Sequence, residues 1–162
     1  VSAPTSTPVG EYAFEGCADD RQTLVESAEG NNCRRATAPI AIGWPDLVTL
    51  TASDPPTSIR RGLKFPITDT MGNQGVANAT AFKTRYYLTL DALPGPPLSG
   101  TRSVPALRAG QASKGTVTVG VPASTPLATY RVLVCADATG AVREANETNN
   151  CLASQGYVTV VP

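Results

Sequence analysis

The chain has 162 residues, enough for one complete domain, and its 41% of hydrophobic residues can form a substantial core. Thirteen basic and thirteen acidic residues cancel, so the sequence predicts no nucleic-acid partner, and no apolar run is long enough to predict membrane insertion. The chain contains no histidine, which removes the commonest general base and metal ligand and argues against an enzyme.

Short segments with period-two apolar alternation, separated by turns rich in Gly and Pro, predict a chain made of β-strands. Two predicted strands, residues 12–17 and 33–42, form a hairpin. Seven more follow it: residues 46–52, 63–70, 79–91, 103–108, 114–121, 129–137 and 151–161. Seven short strands at this spacing predict an antiparallel β-sandwich of the immunoglobulin or fibronectin-III type, preceded by the hairpin.

The hairpin repeats the end of the chain. Residues 17–33 and 135–151 align without a gap, and 13 of the 30 positions between residues 4 and 33 are identical to those 118 residues later. We therefore interpret residues 1–42 as the second half of one module and residues 43–162 as a complete module. Because a lone hairpin is marginally stable in water, we expect residues 1–42 to dock on the complete module or to exchange strands with another chain.

The four cysteines stand at the feet of the two repeated hairpins. Three pairings are formally open, and the duplicated spacing favours Cys17 with Cys33 and Cys135 with Cys151. A metal held by thiolates is the alternative, but two cysteines without histidine supply too few soft ligands. Disulfides predict an oxidising location, either extracellular or at the cell surface.

The loop between Cys135 and Cys151 is rich in carboxylates and amides. Asp137, Glu144, Glu147 and Asn149 carry the hard oxygen ligands that calcium prefers, which makes them a candidate calcium site. The same side chains can instead accept hydrogen bonds from the loop's own backbone, and their spacing is not that of an EF-hand. The sequence leaves both interpretations open, and it predicts no other cofactor.

Several short motifs lie at residues 45–48, 72–75, 86–88, 104–110 and 142–150. Together they resemble the CARDB family, the cell adhesion related domain found in bacteria. The resemblance covers residues 45–162, and residues 4–42 resemble the second half of the family's domain. It implies an immunoglobulin-like sandwich, arranged in tandem on exported proteins, with an adhesive or spacer role and no catalytic residues. The paired cysteines are not a general feature of the family.

The leading functional hypothesis is therefore a non-catalytic extracellular adhesion or spacer module. Its expected partners are neighbouring repeat modules and a cell-surface protein or polysaccharide. A carbohydrate-binding sandwich is an alternative, and it would need Trp44, Tyr86 or Tyr87 on one open face. Two further alternatives are a calcium-stabilised module of a secreted enzyme and a hydrolase. The hydrolase would need Glu144 and Glu147 in a deep cleft.

Overall fold

The computed structural model describes residues 3–4 and 6–162 of the chain. The chain divides into two compact units, Val1–Gly43 and Trp44–Pro162. The interpretation of the first unit as half of a module stays a prediction. The described residues contain no helix with the length and apolar character that a membrane crossing requires.

The first unit is a β-hairpin. Strand β1 (Gly10–Cys17) pairs antiparallel with β2 (Cys33–Ile42), and one turn of 3-10 helix, Glu29–Asn31, lies in the loop between them. The pairing runs to the two cysteines and is interrupted once, between Ala13 and Glu15. Every residue of the two strands is exposed or only partly buried, so the hairpin has no buried core of its own.

The second unit is a sandwich of two sheets. Its strands are β3 (Leu47–Ala52), β4 (Ser58–Arg60), β5 (Lys64–Asn73), β6 (Phe82–Thr89), β7 (Arg102–Val104), β8 (Ala112–Gly120), β9 (Thr129–Cys135), β10 (Cys151–Ala153) and β11 (Val158–Val161). One sheet has the order β4-β11-β9-β6-β7, with β10 also paired to β9, and the other has the order β3-β5-β8. Most pairs are antiparallel, but β4 and β11 are parallel. The predicted immunoglobulin-like β-sandwich is confirmed.

Period-two alternation places the core between the sheets. Along β5, Phe65, Ile67 and Met71 point inward, and the neighbours of Phe65 and Ile67 are less buried; β6 alternates in the same way. The innermost side chains come from both sheets and are almost completely buried: Leu47, Ile67, Met71, Tyr86, Leu88, Val119, Val132, Val134 and Val158. Each fully buried aliphatic side chain of this size stabilises the fold by about 1.5–3 kcal/mol.

One strand prediction was wrong, and one strand was missed. The single strand predicted at residues 151–161 is broken into β10 and β11, because the Ser154 side chain replaces a backbone partner there: its Oγ accepts from the Val132 N–H at 3.0 Å. A bend at residues 155–156 follows, and pairing with β9 resumes at Val158. Strand β4 was missed because three residues are too few for their alternation to predict a strand, and its pairing with β11 is a long-range contact.

Residues 91–102, rich in Pro and Gly, lead from β6 to β7 of the same sheet and contact both sheets on the way. The Leu98 N–H donates to Tyr86 O in β6 at 2.9 Å, and the next N–H, of Ser99, donates to Gly120 O at the end of β8, also at 2.9 Å. Leu98 is buried in the core. The segment therefore closes one side of the sandwich and contributes to its core.

A buried polar cluster lies between the two sheets on the same side. Asp69 on β5 is fully buried; it accepts from the Tyr86 hydroxyl at 2.6 Å and from Arg102 Nε at 2.9 Å. Arg102 Nη2 forms an ion pair with Asp69 Oδ1, the oxygen that also accepts from Nε. The Asp69 carboxylate raises the pKa of Tyr86, although burial of the hydroxyl is the larger cause. The sequence analysis did not identify this cluster.

Candidate functional site

The candidate site is the loop that joins β9 to β10. Cys135 and Cys151 face each other in the pairing of these strands, with Cα atoms 4.0 Å apart, and they form a disulfide. Cys17 and Cys33 do the same in the first unit, with Cα atoms 4.1 Å apart. The two disulfides are the predicted pairs, and the chain has no free cysteine. A thiolate metal site is therefore excluded.

Asp137 closes the first turn of this loop. Its backbone has φ +36°, a left-handed conformation that Asp tolerates better than most residues. The buried carboxylate accepts from the Val142 N–H at 2.7 Å, five residues along the chain. This bond holds Val142 with its side chain in the core, so Asp137 has a defined structural role.

Glu144 is a buried carboxylate with two internal donors. One oxygen accepts from the Leu47 N–H at the start of β3, and the other accepts from Asn150 Nδ2 at 2.8 Å. Burial raises the pKa of Glu144 to about 7, because the two hydrogen bonds offset only part of the cost of desolvating the charge. Glu147 and Asp137 add a smaller repulsion in the same direction.

The loop holds the first strand of the module through three more contacts. The Ala145 N–H donates to Pro45 O at 2.8 Å, and Asn149 Nδ2 donates to Asp46 Oδ1 at 3.0 Å. The Thr49 hydroxyl of β3 donates to Asn150 O at 2.8 Å. We call this set, the segment Pro45–Thr49 with Glu144, Ala145, Asn149 and Asn150, the β3 latch. It joins a strand of one sheet to the hairpin of the other sheet.

The other predicted metal ligand has a different environment. Glu147 is exposed, and its Oε1 accepts from the Glu144 N–H at 3.0 Å. Asp137, Glu147 and Asn150 line an open pocket of about 300 Å³ together with Tyr87 and Pro94. Within the part of the chain that the structure describes, no three or more Asp, Glu, Cys or His side chains are grouped as a metal site would need. Calcium binding stays a prediction.

The structure bears on the carbohydrate-binding and hydrolase alternatives. Tyr86 is buried and bonded to Asp69, so it cannot belong to an exposed aromatic platform with Trp44 and Tyr87. Trp44 is 40% exposed, and the Arg143 guanidinium lies 4.3 Å from the centroid of its ring. For hydrolysis, both oxygens of Glu144 already accept from the chain's own donors, which leaves this carboxylate poorly placed to act on a substrate.

The sequence analysis missed the partners of the loop, which are Asp46, Leu47 and Thr49. They lie about one hundred residues away along the chain. Every residue except proline has a backbone N–H, so the residue type does not indicate which N–H pairs with a carboxylate. One signal was available: the segment Pro-Asp-Leu-Val and the loop motif were recognised separately as parts of one resemblance.

The profile of the CARDB family matches residues 44–154, which is most of the chain. The chain belongs to the CARDB family. The β3 latch lies within the matched residues, so the contacts between loop and first strand form inside a single CARDB module.

Solved structures of similar domains share the fold. A CARDB domain of Pyrococcus furiosus, crystallised in complex with di-metal ions, is 22% identical with a TM-score of 0.52; the match covers 74% of this chain and 96% of that domain. One domain of a candidate cell surface protein from Methanosarcina acetivorans is 24% identical with a TM-score of 0.51, covering 73% and 93%. No match to a curated protein was found.

Stability should depend on pH through Glu144. Its pKa rises from 4.5 to about 7 on folding, so between these values the folded state binds more protons than the unfolded state. The free energy of unfolding should therefore fall as pH rises from 4.5 to 7, by up to about 3 kcal/mol, and should change little above 7 on this account. Urea denaturation at pH 5, 6, 7 and 8 measures this slope.

The variant Glu144→Gln tests whether Glu144 causes this dependence of stability on pH. A neutral amide resembles the protonated acid, and the Asn150 amide can turn so that its buried Oδ1, which lacks a partner among the described residues, accepts a hydrogen bond. We expect the free energy of unfolding of this variant to change much less between pH 5 and 7 than that of the parent. An identical slope in the two proteins would show that Glu144 does not titrate in this range.

Proposed function

We propose that residues 44–162 act as a non-catalytic spacer or adhesion module of an exported protein, at the cell surface or outside the cell. One observation carries the proposal: the carboxylates and amides of the loop hold the module's own first strand. Glu144 accepts the Leu47 N–H and Asn149 pairs with Asp46, while Asp137 accepts the Val142 N–H within the loop itself. These groups are committed to holding the fold rather than arranged around a substrate.

The β3 latch is suited to bearing load. It joins the segment at which the module begins, Pro45–Thr49, to a hairpin near its end, and the disulfide Cys135–Cys151 closes that hairpin. When the two ends of a module are pulled apart, the load passes through these contacts. Two disulfides favour an oxidising location, and the likeness to a domain of a candidate cell surface protein supports the same placement.

Neighbouring modules and a surface protein or polysaccharide are the partners that this function implies. In a tandem arrangement each module would transmit tension to the next. The module's end strands, β3 and β11, would then carry the linkage to adjacent copies.

Single-molecule force spectroscopy tests the proposal. With the full chain pulled from its two ends, we expect one main unfolding event for residues 44–162, and Glu144→Ala should lower its force. Gln155→Ala, at an exposed position in the bend after β10, is the matched control and should leave the force unchanged. An equal force in all three proteins, or hydrolytic activity that depends on Glu144, would contradict the proposal.

A calcium-stabilised module is the second candidate. The buried Oδ1 atoms of Asn149 and Asn150 have no hydrogen-bond partner among the described residues, and Asn150 lines the same pocket as Asp137 and Glu147. Carboxylate and amide oxygens of this kind can hold calcium. The CARDB domain of Pyrococcus furiosus in complex with di-metal ions makes a metal worth testing here.

If calcium binds, the melting temperature should be higher in 5 mM calcium chloride than in EDTA, because a ligand that binds only the folded state stabilises it. Differential scanning calorimetry measures the shift, and Glu147→Gln, which removes an exposed ligand charge, should reduce it. An unchanged melting temperature at millimolar calcium would eliminate this candidate.

A further inference from the structure

The loop of the first unit repeats two contacts of the loop that joins β9 to β10. Asp19 has φ +42°, and its carboxylate accepts from the Leu24 N–H at 2.8 Å, as Asp137 accepts from Val142. The Glu26 N–H donates to Glu29 Oε1 at 2.9 Å, as Glu144 donates to Glu147. These two contacts inside the loop are therefore formed in the first unit as well.

The hydroxyl of Tyr12 repeats a third contact. It donates to Pro8 O at 2.9 Å, and the Tyr130 hydroxyl donates to Pro126 O at 3.1 Å. Tyr12 and Tyr130 lie 118 residues apart along the chain, as do Pro8 and Pro126 and the aligned cysteines. The repeat thus specifies local structure as well as residue type, in a hairpin that buries none of its strand residues.

The residues that face a partner in the second unit are uncovered in the first. Glu26 corresponds to Glu144 but is exposed, and no described residue donates to its carboxylate. Three exposed side chains correspond to buried core residues of the second unit, at 51%, 66% and 53% exposure: Phe14, Leu24 and Ile40. Their counterparts Val132, Val142 and Val158 are at most 6% exposed.

The second unit shows what covers the corresponding surface of a complete module. In the second unit the cover is the first half of the same module, which begins with Pro45–Thr49 and supplies the Leu47 N–H to the buried carboxylate. Asp46 supplies the acceptor for the loop amide, and Leu47 enters the core. A partner for the first unit needs the same chemistry, namely an extended strand with an Asp followed by a free N–H and an apolar side chain.

We propose that the hairpin of residues 1–42 is a docking site for the first half of a CARDB module, recognised through a Pro-Asp-Leu-Val-Thr strand. Glu26 accepts the N–H that follows the aspartate, and the Asn31 amide binds the aspartate itself. A second copy is a poorer occupant, because its own Asp46 and fully buried Leu47 would first have to leave their latch. The inference rests on the proposed role as a structural module.

A synthetic peptide of residues 43–53 tests the proposal against the full chain labelled with ¹⁵N. We expect saturable amide shifts at Glu26, Asn31 and Asn32. A peptide N-methylated at Leu47, which cannot donate to a carboxylate, should bind about tenfold more weakly, the effect expected for one hydrogen bond to a charged group.

The variant Glu26→Ala should bind the unmethylated peptide more weakly by a similar factor. Glu11 is an exposed glutamate on the same hairpin, and Glu11→Ala should bind the peptide as the parent chain does. No saturable shift at millimolar peptide, shifts confined to residues 44–162, or equal binding of the two peptides would each overturn the docking site. The force measurement on residues 44–162 is independent of this titration, so failure of one proposal can be told from failure of the other.

Discussion

Replacing Arg102 with methionine should lower the free energy of unfolding of the second unit by about 3–5 kcal/mol, the range for breaking a buried ion pair. The substitution keeps much of the side-chain volume but leaves the fully buried Asp69 carboxylate without its counter-charge. Arg102 also donates to Ser113 Oγ and to Ser113 O, at 3.4 and 3.3 Å, so the link between the two sheets is weakened further. Chemical denaturation followed by circular dichroism measures the loss.

Two controls separate the ion pair from other causes. Arg85→Met removes an exposed arginine on β6 and should change stability by no more than about 0.5 kcal/mol. The double variant Asp69→Asn with Arg102→Met no longer buries an unpaired charge, so it should be more stable than the single Arg102→Met variant. If Arg102→Met costs under 1 kcal/mol, the cluster is not a major source of stability.

Replacing both Cys135 and Cys151 with alanine should destabilise the second unit by about 3 kcal/mol. The disulfide closes a loop with a sequence separation of 16, and its removal restores conformational entropy to the unfolded chain. The loss should also loosen the β3 latch, because Asn149 and Asn150 immediately precede Cys151.

Urea denaturation of the parent and of the alanine variant, with and without dithiothreitol, checks this expectation. The reductant should destabilise the parent and leave the unfolding of the second unit unchanged in the variant. A variant within 1 kcal/mol of the oxidised parent would show that hydrogen bonds alone hold the loop.

Much of the fold could be predicted because its signals are local. Alternation of apolar residues identifies a strand from its own residues, as at β5 and β8, since opposite faces of a strand meet different environments. The cysteine pairs were predictable because the duplicated spacing places them at the feet of hairpins. The break between β10 and β11 was not, because it depends on how Ser154 meets the opposite strand.

The candidate site was predicted only as a set of residues. The sequence identified Asp137, Glu144, Glu147 and Asn149 as a polar loop and left its role open between calcium and hydrogen bonding. Which donors reach each carboxylate depends on β3 meeting the loop across the sandwich. The Asp69 cluster was hidden for the same reason, since Arg102 lies 33 residues beyond its partner.

By itself, the sequence determined the β class, the repeat at an offset of 118 residues, the two disulfides and the absence of histidine chemistry. These properties depend on residue identity and short spacing, which the chain carries locally. Only the tertiary structure decided that Glu144 is buried against the Leu47 N–H, that Asp69 is paired with Arg102, and that Glu26 is left without a donor among the described residues. Burial and long-range pairing arise when distant strands are brought together, and the electrostatics of a carboxylate follow from that environment.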